Sequence, residues 1–201
     1  CYFKPPHWQR PKAPTMTDLA LRARQSYCDL ADKLETLTVG VLPTLARLTF
    51  AGVLLMYFWG SALTKIGPGL FGIFSPSTGA YAQIFPIKAD AVLYDVSQFS
   101  ILEKLVIVGG TWAEVLLPLM IVLGLLTRLS ALGMIGFVIV QSLTDIYGHH
   151  ADAETIGHWF DRASDALILD QRAFWVLALL ILVLKGAGPL SLDRLLIGRS
   201  A

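Results

Sequence analysis

At 201 residues, 55% of them hydrophobic and 15% charged, the chain has too little polar material to cover several apolar segments as a soluble protein. A net charge of +1, with no Lys/Arg-rich run and no aromatic–basic pattern, gives no sign of nucleic acid as a partner. The two cysteines, Cys1 and Cys28, form no CxxC, and none follows position 28. Thiol–disulfide chemistry with a quinone needs an attacking thiolate and a resolving partner, which nearly excludes that activity.

Residues 1–15 are polar and Pro-rich and read as a disordered or added extension, with Met16 as the start of regular structure. A lipidated Cys1 is the competing reading. From Thr17 an amphipathic helix is expected within 16–40. Ala20, Ala23, Tyr27, Leu30, Leu34 and Leu37 recur at spacings of three and four, with most charged residues off that stripe. It reads as an interfacial cytoplasmic helix, or as a docking face.

Four apolar stretches follow: Val41–Leu63, Leu105–Leu126, Leu129–Tyr147 and Ala173–Leu184. The first three are long enough, at about 18–23 residues, to cross a ~30 Å hydrocarbon layer. Helices satisfy their own backbone in lipid, which makes the expected fold all-α: an antiparallel four-helix transmembrane bundle, with the lipid bilayer as its first partner.

Segment 66–102 between the first two spans is apolar for a loop. It reads as a lid, with Ser75-Pro76 starting a short helix through Tyr81 to Ile84 and Pro86 ending it. Helices two and three form a tight hairpin through Thr127-Arg128. Gly124, Gly133 and Gly136 are expected to let backbones approach. The loop 148–172 is polar and His-rich, and residues 197–201 form a tail. With both termini inside, ten Lys/Arg lie inside against five outside, or seven against five without residues 1–15. That asymmetry predicts cytoplasmic termini for a multi-pass protein.

Ionisable residues within spans are the chemical signal. Glu114 sits in helix two, with Thr111 one turn before it on the same face. Pro118 one turn later frees the Glu114 carbonyl. Gln141, Asp145 and His149 repeat at i, i+4 along helix three. Tyr57, Ser61 and Lys65 lie at corresponding heights on helix one. At ~1.5 Å rise per residue Glu114 and Gln141 reach one depth. Tyr57, Ser61, Lys65, Thr111, Glu114, Gln141 and Asp145 are therefore expected to line a polar pocket, with Glu114 bonded to Gln141 or Tyr57. Glu114 either handles a ligand or proton there or glues the bundle. Arg47, deeper in helix one, is expected to snorkel to the headgroups.

In the outer loop, His149, His150, Asp152, Glu154 and His158 are metal-type ligands within ten residues. Their spacing matches no HExxH pattern, and a solvated Asp/His network is the other reading. The histidines, His7, His149, His150 and His158, lie outside the spans or at their rim, which leaves a buried bis-His haem without ligands.

Helix one with Arg47, Phe58, Trp59, Gly60 and Lys65, the segment Trp112–Gly136 (WAEVLLPLMIVLGLLTRLSALGMIG) and the closing Gly186–Leu196 (GAGPLSLDRLL) resemble the DoxX family. GLLTRL and GPLSLD carry the resemblance most specifically, and it covers residues 41–196. It implies a four-helix protein of the bacterial inner membrane. It also implies a link to terminal-oxidase or thiosulfate:quinone systems. Three functions are then expected, in this order. The first is a non-catalytic membrane subunit or anchor of a redox or oxidative-stress system, contacting quinone and a membrane or soluble redox partner protein. The second is a small-molecule or metal transporter or chaperone using the pocket and the His-rich loop. The third is a stand-alone oxidoreductase.

Overall fold

The computed structural model describes residues 16–69 and 71–198. The extension 1–15, with Cys1 and His7, and most of the tail lie outside them. The described chain is helical, with no strand among the described residues. It comprises α1 (Met16–Val53), α2 (Leu55–Lys65), α3 (Thr78–Ile84), α4 (Pro86–Ala91), α5 (Ile101–Leu123), α6 (Thr127–Leu143), α7 (Ala153–Ile156), α8 (Arg172–Lys185) and α9 (Leu192–Ile197). Four segments are long and apolar enough to cross a membrane: Leu19–Val53, Ile101–Leu123, Thr127–Gly148 and Leu167–Lys185. The protein divides into two units, residues 1–38 and 39–201, and α1 contributes to both.

Several boundaries differ from the sequence reading. The expected break between an amphipathic helix and a first span is absent, since α1 covers both. Its helical pattern passes Pro43, and Thr44 Oγ1 donates to the Gly40 carbonyl at 2.8 Å in the turn before. The expected first span is instead divided at Leu54 between α1 and α2, although the bonds Leu54 N to Phe50 O (2.8 Å) and Phe58 N to Leu54 O (3.0 Å) run across the division. In the lid, Ser77 rather than Ser75 precedes the helix, and Pro86 opens α4 at its first turn, where a missing N–H costs nothing.

In the second unit the core is built round Phe58, which is fully buried. Its ring meets Phe137, Trp175 and Tyr57 edge-on and stacks with Phe50. Ile121, Met134, Val138, Leu179 and Leu182 complete the cluster, drawing α1, α2, α5, α6 and α8 together. A second cluster, Ala80, Tyr81, Ala89, Phe99 and Ile107, packs the lid onto the start of α5. Ser100 and Glu103 close a reciprocal capping box there. Outward, α5, α6 and α8 expose Leu105, Val106, Leu132, Ile139, Val140, Leu177 and Leu184. Such a wide apolar perimeter suits hydrocarbon rather than water.

The α5–α6 hairpin and the closing stretch form one latch. Arg47 does not snorkel. Its Nε donates to Ile121 O (3.0 Å), Nη2 to Val122 O (2.5 Å), and Nη1 to Ala187 O (2.9 Å) and Leu190 O (2.5 Å). Two of these carbonyls end α5: Ile121 O also accepts from Gly124 N at 3.1 Å, while the N–H one turn beyond Val122, on Leu126, is turned to Asp193 instead. A planar fork with five donors suits that task. Gly124 turns the chain in the left-handed region (φ 69°), and a Cβ there would sit 2.8 Å from the Arg47 guanidinium carbon and 2.6 Å from Ser191 Cβ. Asp193 then accepts from Leu126 N (2.6 Å) and Thr127 N (2.8 Å) at the start of α6. This caps α6 and holds Leu126 at its strained φ of 46°.

Arg47→Leu is expected to lose about 3 kcal/mol or more, because it orphans several carbonyls at once. By the usual scaling that is roughly 6–12 °C in Tm. Arg47→Lys should recover little of it, since an ammonium cannot reproduce the fork. Thermal unfolding of the purified variants measures both; wild-type behaviour of either would remove the latch from the account.

Candidate functional site

A cavity of about 440 Å³ lies between α2, α3, α5 and α6. That is within the size range of small-molecule sites, about 300–1,000 Å³. Its most polar wall is a buried ion pair. Lys65 Nζ donates to both oxygens of Glu114 at 3.0 Å, with both side chains about 95% buried. Ser61 completes the group: Lys65 Nζ donates to its Oγ (2.6 Å), and that hydroxyl donates to Glu114 Oε1 (3.3 Å). The geometry fits a carboxylate facing an ammonium, each neutralising the other where no water can. The carboxylate of Glu114 lies on α5 thirteen residues from the lid end and nine from the hairpin end, near the middle of the span.

The local sequence explains the placement. Trp59 Nε1 donates to Val115 O at 3.2 Å, fixing α2 against α5 beside the pair. Pro118 cannot donate to the Glu114 carbonyl, as expected. Thr111, however, is fully buried and donates to its own helix at Ile107 O, 2.9 Å away, so it is not part of the cavity wall.

Of the residues read from the sequence, Ser61, Lys65, Glu114, Gln141 and Asp145 line the cavity. Tyr57 stands behind the wall and accepts a bond from Gln141 Nε2 at 2.9 Å. The expected bonds from Glu114 to Gln141 or Tyr57 are replaced by those to Lys65 and Ser61. Asp145 and His149 lie on the cavity side with Gln141, as the i, i+4 row implies. The last turn of α6 widens into a π-type turn, Thr144–Gly148, with His149 N bonded to Thr144 O at 3.0 Å. Such turns recur at functional sites.

Arg172 ends the outer loop 148–172 of the sequence reading. It is 97% buried and donates to Asp145 Oδ2 (2.6 Å) and Ser142 Oγ (2.9 Å), beside the Trp175 ring. A second π-type turn, Leu167–Gln171, delivers it. The signal in the sequence was Asp145 itself, a carboxylate near a span end that needed a cation of similar height.

The outer-loop ligands do not assemble. His149 Nε2 lies 3.0 Å from the Gln83 carbonyl and lines the rim of the cavity. Asp152 caps α7, and the Thr155 backbone N–H holds its carboxyl below the usual range. His150, Glu154 and His158 are exposed or sit apart in the loop, and among the described residues no three His, Cys, Asp or Glu gather as a metal site.

Gly136 departs from expectation, whereas Gly133 does serve a close approach: a Cβ there would sit 3.3 Å from Leu117 Cδ2 on α5. A Cβ on Gly136 would meet nothing within 4 Å, nor would one on Gly109. Gly109 and Gly136 widen the cavity wall, while Gly124 and Gly133 serve close approaches.

No family model matches the chain, no curated protein matches it, and no solved structure matches its fold.

Removing one partner of a buried pair strands the other charge, at about 3–5 kcal/mol. Glu114→Leu and Lys65→Met are each expected to lose that much, while the double variant should return to within about 1 kcal/mol of wild type. Unfolding of the three proteins in one detergent measures the cycle; additive losses would mean that the two charges act separately.

Proposed function

We propose that the chain is a membrane subunit or anchor of a redox system, of the DoxX type, and that its cavity holds a quinone. In this reading the four spans form an antiparallel bundle with cytoplasmic termini in a bacterial inner membrane, and residues 16–40 lie at the cytoplasmic interface. The observation that carries it is the Lys65–Glu114–Ser61 group on the wall of a 440 Å³ cavity that is otherwise mostly apolar. A quinone head is uncharged, flat and edged with carbonyl acceptors. A fixed dipole near mid-span suits it, and apolar walls suit the ring. Resident charged pairs within a span are costly and mark ligand or proton sites more often than packing.

The metal-handling alternative has less support, because the His-rich loop keeps its ligands apart. A stand-alone oxidoreductase would need a bound redox group or a reactive thiol, and the one described cysteine, Cys28, is exposed on α1.

Protein purified in mild detergent is expected to carry about one quinone per chain in an organic extract, and added quinone should raise Tm by several degrees. The Lys65→Met/Glu114→Leu variant, folded but without the charged group, should do neither. A quinone-free protein with no thermal response would end the reading. The orientation is separable: with the native cysteines replaced, an impermeant thiol reagent on intact cells should label a cysteine at position 155 and spare one at position 25. Labelling of position 25 would invert the topology.

A further inference from the structure

The cavity has two sides by which it could fill. At the lid end, Gln83 on α3 and His149 after α6 both line it and are joined at 3.0 Å, and a Cβ on Gly148 would sit 2.9 Å from Pro86 Cγ. The lid and the end of α6 thus meet over that end. Between α5 and α6 the wall is different. Gly109 and Gly110 on α5 face the same cavity as Gly133 and Gly136 on α6. Gly109, Gly133 and Gly136 are exposed, and Gly109 and Gly136 border open space. Val106 and Val140, also on the wall, are 54% and 62% exposed, in line with Leu102 and Leu105 on α5 and Leu132 and Leu143 on α6. The gap therefore opens on the apolar perimeter, where a bilayer would lie.

We propose that this glycine-walled gap is a lateral window, through which the ligand enters from the hydrocarbon and in which its single apolar tail remains. The occupant is a neutral polar ring on one long chain, the quinone class, and this identification rests on the function proposed above. Depth selects it. The Lys65–Glu114 pair lies about 14 Å of helix from the hairpin end and about 20 Å from the lid end. A phospholipid would have to carry a charged headgroup to that depth, which hydrocarbon opposes. A quinone head already resides at such depths. A Cβ at 109 or 136 would meet nothing within 4 Å, so a larger side chain at either position extends into the gap.

The test uses the full chain with Gly109→Leu/Gly136→Leu. Neither position has a positive φ or a close neighbour, so the variant is expected to fold, with Tm at or above wild type. Binding of a dimethoxy-methyl-benzoquinone with a decyl tail should weaken about tenfold or more, while the same ring without a tail should bind within about twofold of wild type. Equal binding of the tailed compound to both proteins overturns the window. Equal weakening of both compounds also overturns it, since the leucines would then have disturbed the ring site. Retention of a phospholipid that quinone does not displace overturns the occupant.

A second arm does not depend on quinone. Bimane on Gly136→Cys, with Cys1 and Cys28 replaced by Ser and the protein in liposomes, should be quenched by doxyl-labelled lipid and not by iodide. Quenching by iodide instead makes the gap aqueous and removes the proposal. If wild type binds neither quinone, the functional reading fails, and this arm alone decides whether the window faces lipid.

Discussion

Two opposite charges beside an apolar core must neutralise each other, and that demand ties α2 to α5. Lys65 and Glu114 each have little solvent left to them, so neither can hold its charge alone. A buried pair of this kind adds little net stability over apolar side chains of the same size. Under the proposed function, its presence serves a ligand rather than the fold. Around it the structure is arranged for access: glycines on one side, a closed lid at one end, and Phe58 with its ring of aromatics sealing the other helices.

The opposite end is built for rigidity. In lipid every backbone carbonyl needs a partner, and a helical hairpin exposes several at its turn. Arg47 supplies donors to two of them, Ile121 O and Val122 O, and to Ala187 O and Leu190 O of the closing stretch, and Asp193 serves the N–H groups of the helix that follows. Gly124 leaves room for that guanidinium. The stretches GLLTRL and GPLSLD, far apart in sequence, are thus two halves of one structural element. The resemblance to the DoxX family read from the sequence rests chiefly on them, and their job in this chain is structural. A likeness resting on them speaks more to fold than to chemistry.

Apolar run length made the helices legible, because a span must be about twenty residues of hydrocarbon-compatible side chain. The polar pocket was legible too, through charges placed where burial penalises them. Pairing was not. Depth counted along separate helices located Lys65 and Glu114 at comparable heights but could not say which polar neighbour each would take, so Glu114 was assigned to Gln141 or Tyr57. Two π-type turns, Thr144–Gly148 and Leu167–Gln171, end the third span and open the fourth, and no propensity marks such turns in advance. Arg47 was misjudged because snorkelling is the cheaper fate for a lone arginine; the carbonyls it serves come from segments more than seventy residues away. Glycine in an apolar helix reads as close packing, yet Gly109 and Gly136 face open space. Only the placement of α5 against α6 distinguishes a contact from a window.

The most direct measurement is an experimental structure of the protein in lipid nanodiscs supplied with a long-tailed quinone. The account predicts a flat density within hydrogen-bonding reach of the Lys65–Glu114–Ser61 group, continuing as a single chain past Gly109 and Gly136 into the bilayer. A cavity filled by ordered water continuous with the lid side, or Lys65 and Glu114 turned away from one another with no ligand between α5 and α6, would contradict it.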